Sequence, residues 1–163
     1  MQTLFFLIMI PAFWAGFPSS VWAQNQGREL VIIVNNANPT EEISLAELRK
    51  IFLAERAHWS HGGSIIVAMR DAGQSERMTI LQQVCQMTEG EFNRYYLQAT
   101  FTGQVQTSPK RFATAAGVRD FVAAVPGAIG YLHANELNGT IKALRVNGRL
   151  PSDTGYGLVD LAP

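Results

Sequence analysis

Five residues of the stretch Arg70-Asp71-Ala72-Gly73-Gln74-Ser75-Glu76-Arg77 could together hold an anion: Arg70, Asp71, Gly73, Ser75 and Arg77. Arg70 and Arg77 each offer a planar guanidinium that can fork onto two oxygens of an oxyanion. Gly73 lets the backbone approach closely. Ser75 supplies a hydroxyl donor, and Asp71 can accept the proton of a protonated oxyanion such as hydrogen phosphate. The stretch follows the apolar run that ends at Met69 and precedes a helical pattern from about Ser75 to Met87. At such a junction the unpaired backbone N–H groups and the helix dipole favour an exposed anion by about 0.3–1 kcal/mol. The same residues also describe an ordinary helix cap with solvated or paired arginines, and spacing alone leaves both open.

The other reactive side chains point to little chemistry. His58 and His61 flank Trp59 in a polar loop with no cysteine and no third ligand near them, so they are expected to be loop histidines; no metal and no cofactor are expected. Ser75 lacks the glycine two residues on that a nucleophile elbow needs, and no general base is paired with it, so the chain is expected not to be an enzyme. Phe92, Tyr95, Tyr96 and Phe101 are expected to pack in a core, as helical spacing implies. Cys85 is the sole cysteine, which precludes an internal disulfide and fits a small buried hydrophobe. Asn138-Gly139-Thr140 reads as a turn.

The elements that must position these residues alternate between strand and helix. Leu30–Val34 is a continuous β-branched run, the pattern of a strand covered on both faces. Ser44 with Glu47 makes a capping box that opens a helix with Leu45, Leu48, Ile51 and Phe52 on its apolar face. A second buried-type strand, Ser64–Met69, leads into the Arg70–Arg77 stretch. Thr88 with Glu91 is another capping box, followed by Phe92, Tyr95, Tyr96 and Ala99 at i, i+3, i+4 and i+7; Phe101–Lys110 reads as loop. Val118, Phe121, Val122 and Val125 repeat the helical spacing until Pro126-Gly127 ends it. Ala128–Leu132 and Ile141–Val146 read as strands, and the tail from Gly148 as irregular surface packing. The order predicts an α/β domain: a parallel or mixed sheet flanked by helices.

Charge distribution bears on location. The 163-residue chain has 13 basic and 13 acidic residues, a balance that offers nothing to nucleic acid or an anionic membrane. Its first charged residue is Arg28. Leu4–Ile10 is apolar, Pro11 and Pro18 break the segment after it, and Val21-Trp22-Ala23 places small residues where a signal peptidase cuts. Residues 1–23 are therefore expected to be a cleavable signal peptide and 24–163 one domain, released to the periplasm without stable membrane insertion. The absence of a cysteine after the apolar run argues against a lipoprotein.

Taken in order, the chain resembles the second lobe of the phosphate-specific periplasmic binding proteins that serve ABC transporters. The residues that carry the resemblance are Val31-Ile32-Ile33-Val34-Asn35, Ile51-Phe52-Leu53-Ala54 with Trp59, Ile65-Ile66-Val67-Ala68-Met69-Arg70-Asp71 with Gly73 and Ser75, and Pro126-Gly127-Ala128-Ile129-Gly130-Tyr131. It spans about residues 30–137 and implies a periplasmic-binding-protein-like (type II) single lobe. It also implies a non-enzymatic substrate-binding role in transport. The implied ligand is phosphate or a similar oxyanion, held by Arg70, Asp71, Gly73, Ser75 and Arg77. Where family members carry Ser-Gly-Thr, this chain reads Gly73-Gln74-Ser75, and the glycine-rich loop of the first lobe has no counterpart. One lobe offers half a site, so weak binding is expected unless a second copy or an envelope protein completes it. The alternative is an interaction or scaffold protein that keeps the lobe without the ligand.

Overall fold

A computed structural model describes residues 28–105 and 107–160. The expected signal peptide lies outside the described residues. Strand β1 (Leu30–Asn35) is buried at every position, because its alternating side chains enter two different cores. Leu30, Ile32 and Val34 face one, and Val31 and Ile33 face the other. Burying both faces with residues worth about 1.5–3 kcal/mol each explains the uninterrupted apolar run.

The chain then forms β2 (Glu42–Ile43), α1 (Leu45–Phe52), β3 (Ile66–Arg70) and α2 (Ser75–Thr79), which runs into a π-helical segment at Ile80–Cys85. Helix α3 (Glu89–Phe101), β4 (Lys110–Phe112), α4 (Ala115–Ala124) and β5 (Ala128–His133) come next, then a 3-10 turn at Ala134–Glu136, β6 (Ile141–Ala143) and β7 (Arg145–Val146). Five strands make one mixed sheet in the order β4-β3-β5-β1-β6, and β2 pairs with β7 in a small second sheet. Strand β3 runs parallel to β4 and β5, whereas β1 runs antiparallel to β5 and β6. Helices cover both faces. Helix α4 closes the core around Val31, Ile33, Val118 and Val122, and α1, the π segment and α3 close the larger one. No helix among the described residues is long and apolar enough to cross a membrane.

Both capping boxes form. Glu47 N donates to Ser44 Oγ at 3.1 Å and Ser44 N to Glu47 Oε2 at 3.3 Å; Thr88 and Glu91 repeat the exchange at 2.8 and 3.3 Å. Hydrogen bonds from the cap backbone lower the pKa of both glutamates, which is how a capping box holds its carboxylate charged. Cys85 is buried, and burial pushes its thiol up to about 12.

Four expectations change. The helix from Ser75 is α-helical only to Thr79; the wider π pitch then buries Ile80, Leu81, Val84 and Cys85, and Gln86 ends it in the left-handed region at φ 57°. Within the expected Phe101–Lys110 loop, α3 extends to Phe101 and Lys110 opens β4, a short edge strand whose exposed, charged residues carry no alternating apolar signal. Phe101 is 84% exposed and packs in no core, although Phe92 and Tyr96 do. The tail is structural rather than superficial: Tyr156, Leu158 and Asp160 are buried. It closes the end of β1, with Tyr156 Oη donating to Leu30 O at 2.7 Å and Leu30 N to Leu158 O at 2.9 Å. The Gln83 amide clamps Val159 from both sides, Nε2 to Val159 O at 2.8 Å and Val159 N to Oε1 at 3.2 Å.

Candidate functional site

Because β3, β4 and β5 are parallel, their carboxyl ends lie at one end of the sheet, where ligands collect in open α/β folds. Register then fixes the neighbours. Arg70 pairs with Phe112 at the end of β4, and His133 ends β5 opposite Leu30. The bridge between Glu29 and Val159 brings the tail to the same end. Arg70, Ser75, His133 and Asp160 therefore meet, although they are far apart in sequence.

The Pro126–Tyr131 motif is the scaffold behind this meeting. A Cβ at Gly127 would stand 2.2 Å from Ser64 O. The Gly127 carbonyl in turn accepts from Ile66 N at 3.1 Å and Trp59 Nε1 at 3.2 Å. A Cβ at Gly130 would meet Val118 Cγ1 at 2.8 Å, so glycine lets α4 lie close on the sheet. The Tyr131 hydroxyl accepts the Arg70 amide at 3.0 Å, and burial raises its pKa well above the ordinary phenol value. The motif thus seats β5 against β3 and holds the backbone of Arg70.

Arg70 is almost enclosed, and its guanidinium is fully engaged on one edge. Nε donates to Glu76 Oε1 at 3.2 Å and Nη2 to Gln74 Oε1 at 3.0 Å, while Nη1 reaches Phe112 O at 3.4 Å. Asp71 N donates to Phe112 O at 3.0 Å, and the turn closes with Gln74 N on Asp71 O at 3.4 Å. Gly73 occupies that turn at φ +85° with open space where a side chain would be, a conformation that favours glycine. The N-cap of α2 is Gln74 rather than Ser75, without a side-chain cap bond. Ser75 Oγ instead donates to Asp160 Oδ2 at 2.8 Å, with Glu76 Oε2 at 3.4 Å.

Arg77 points the other way. It is 2% exposed and grips Glu89 through Nε and Nη2, both at 2.8 Å. Its Nη1 donates to Arg70 O at 3.1 Å, and the guanidinium carbon lies 5.3 Å from the Phe92 ring centre. Arg77 therefore supports Arg70 from beneath, while Arg70, Asp71, Gly73 and Ser75 line the strand–helix turn. The hydrogen bond from Arg77 holds the Glu89 carboxyl below its ordinary range.

Sequence reasoning gave no role in the site to Glu76, Glu89, Tyr131, His133 or Asp160, although Glu76 lies in the Arg70–Arg77 stretch and Tyr131 in the Pro126–Tyr131 motif. His133 Nε2 lies 3.2 Å from Asp160 Oδ2 and 3.8 Å from Glu76 Oε1. Arg70 thus pairs with Glu76 and Arg77 with Glu89, while His133 lies near both Glu76 and Asp160. Glu76 had a readable signal, an acid in the first turn of a helix that begins just after an arginine, and Tyr131 stood in the Pro126–Tyr131 motif. Hollows open elsewhere: a cavity of about 300 Å³ between Arg56, His58, Tyr96 and Val105, and a groove of about 530 Å³ beside Glu29, Leu137 and Leu150. Neither is lined by Arg70 or Ser75.

No family model matches the sequence. Solved structures do match its fold. One, from Clostridium perfringens, is assigned as a phosphate ABC transporter substrate-binding protein and holds phosphate; it aligns with 74% of this chain and 46% of its own at TM-score 0.60 and 18% identity. An ABC-type phosphate transport receptor from Vibrio cholerae aligns with 76% of this chain and 48% of its own at TM-score 0.56 and 18% identity. PstS from Borrelia burgdorferi aligns with 77% and 53% at TM-score 0.60 and 19% identity. This chain spans about half the length of each. It has the periplasmic-binding-protein-like α/β fold and is similar, over most of its described length, to one half of a phosphate transport substrate-binding protein.

Proposed function

We propose that the chain is a non-enzymatic module that binds phosphate or a similar oxyanion at the carboxyl end of β3, and that it works in the bacterial periplasm. The observation that carries this reading is the convergence of the Arg70 guanidinium and the Ser75 hydroxyl on the two oxygens of the Glu76 carboxylate beside the Gly73 turn, in a fold shared with phosphate-binding structures. Arg70 supplies the forked cation, Ser75 a neutral donor and Asp71 an acceptor for a protonated ligand. Arg77 keeps the Arg70 backbone in place through its bond to Arg70 O. The apolar run at Leu4–Ile10 supports export. One lobe supplies half of a site and so binds weakly, and a second copy or an envelope protein is the proposed means of completing it.

Calorimetric titration with phosphate and with sulfate, beside Arg70→Ala, tests the reading. Saturable heat at millimolar ligand that disappears in Arg70→Ala is the expected result. Absence of heat at that concentration, or heat that survives the substitution, removes the anion site and leaves the fold as a ligand-free interaction module.

A further inference from the structure

We propose that Glu76 determines the affinity and specificity of this site because its carboxylate already stands where a ligand oxygen must bind Arg70; the inference rests on the oxyanion reading above. An arginine takes an oxyanion best through the paired N–H groups of one edge. In this chain the Nε/Nη2 edge is filled by two side-chain oxygens, Glu76 Oε1 at 3.2 Å and Gln74 Oε1 at 3.0 Å. Together they reproduce the two-oxygen contact that a phosphate would make.

The hydroxyl half of the site is occupied in the same manner. Ser75 Oγ has one proton to donate, and its short contact is with Asp160 Oδ2 at 2.8 Å. A second carboxylate oxygen, Glu76 Oε2, lies 3.4 Å away. The side chains of Arg70 and Glu76 are each 9% exposed, so little water screens this pair. An incoming dianion must displace Glu76 from Arg70 and then remain beside two carboxylates it repels. The site therefore admits an oxyanion only when Glu76 leaves the guanidinium, and it discriminates against ligands of high negative charge. Glu76→Gln keeps an oxygen for Arg70 and removes one of the two repelling carboxylates, leaving Asp160. Gln74→Gly frees Nη2 without altering charge.

Both variants, the parent chain and the double variant Arg70→Ala/Glu76→Gln are titrated with inorganic phosphate and sulfate, after thermal unfolding monitored by circular dichroism confirms that each folds. The expected result is at least about tenfold tighter phosphate binding in Glu76→Gln, a smaller gain in Gln74→Gly, and loss of the gain in the double variant. If Glu76→Gln does not fold, Glu76→Ala is titrated in its place. Parent binding that neither substitution tightens overturns the role of Glu76 and leaves the oxyanion site standing. No binding of either anion by any folded variant overturns both.

Discussion

Arg77 and Glu89 form a forked ion pair, Nε to Oε2 and Nη2 to Oε1 at 2.8 Å each, beneath the strand end that carries Arg70. The arginine is buried and the glutamate about one-third exposed, so the pair lies between the weak surface bridge and the costly buried one. Arg77→Ala would strand the Arg70 carbonyl and open space under Phe92. It should destabilise the fold by about 3 kcal/mol, the lower end of the range for breaking a buried pair. Urea unfolding measures this; a loss within about 0.5 kcal/mol, the scale of neutral surface changes, would contradict it.

The same pair makes stability depend on pH. Arg77 depresses the folded pKa of Glu89 below its ordinary value of 4.5. A carboxyl depressed on folding contributes stability above its unfolded pKa and loses it as pH falls through the folded value. The stability difference between the parent chain and Glu89→Gln should be complete near neutral pH and shrink as pH drops below 4.5. Urea midpoints across that window check it, and a difference that stays constant down to about pH 3 would contradict it.

Tyr131→Phe removes the hydroxyl that accepts the Arg70 amide at 3.0 Å. A buried N–H left without an acceptor costs about 1–3 kcal/mol. Thermal or urea unfolding should show that loss. Hydrogen exchange at the Arg70 amide should quicken more than exchange elsewhere in β3, whereas uniform quickening would mean the bond is incidental.

Gly127→Ala places a methyl 2.2 Å from Ser64 O, so β5 and the start of β3 must move apart. Gly139→Ala meets nothing within 4 Å. The first should cost at least about 2 kcal/mol, in the range of overpacking, and the second less than about 0.5 kcal/mol. Equal stability of the two variants would show that the motif does not constrain the packing of β5 on β3.

Local signals in the sequence translated well into structure. The β-branched run at Leu30–Val34 became a strand buried on both faces, and Ser44/Glu47 and Thr88/Glu91 became working capping boxes. The candidate site was only half legible, because a chain shows the residue types at a turn and not what reaches them from afar. Arg70, Gly73 and Ser75 were readable at the strand–helix junction. Asp160 reaches Ser75 across 85 residues, and Tyr131 reaches Arg70 across 61. Neither contact leaves a periodic trace. Arg77 had the right type for an anion ligand, but its direction depends on Glu89, which belongs to the next helix. Strand β4 and the buried tail escaped for the same reason: both are fixed by partners distant in sequence.

Backbone and arginine side-chain NMR reports most directly where an oxyanion binds. Adding millimolar phosphate to the 15N-labelled chain should shift the Arg70 Nε resonance and the amides of Asp71, Gly73, Gln74 and Ser75, saturably and ahead of all others. Absence of any shift there, or a largest shift at the distant Arg56–His58 cavity, would contradict an oxyanion site at the end of β3.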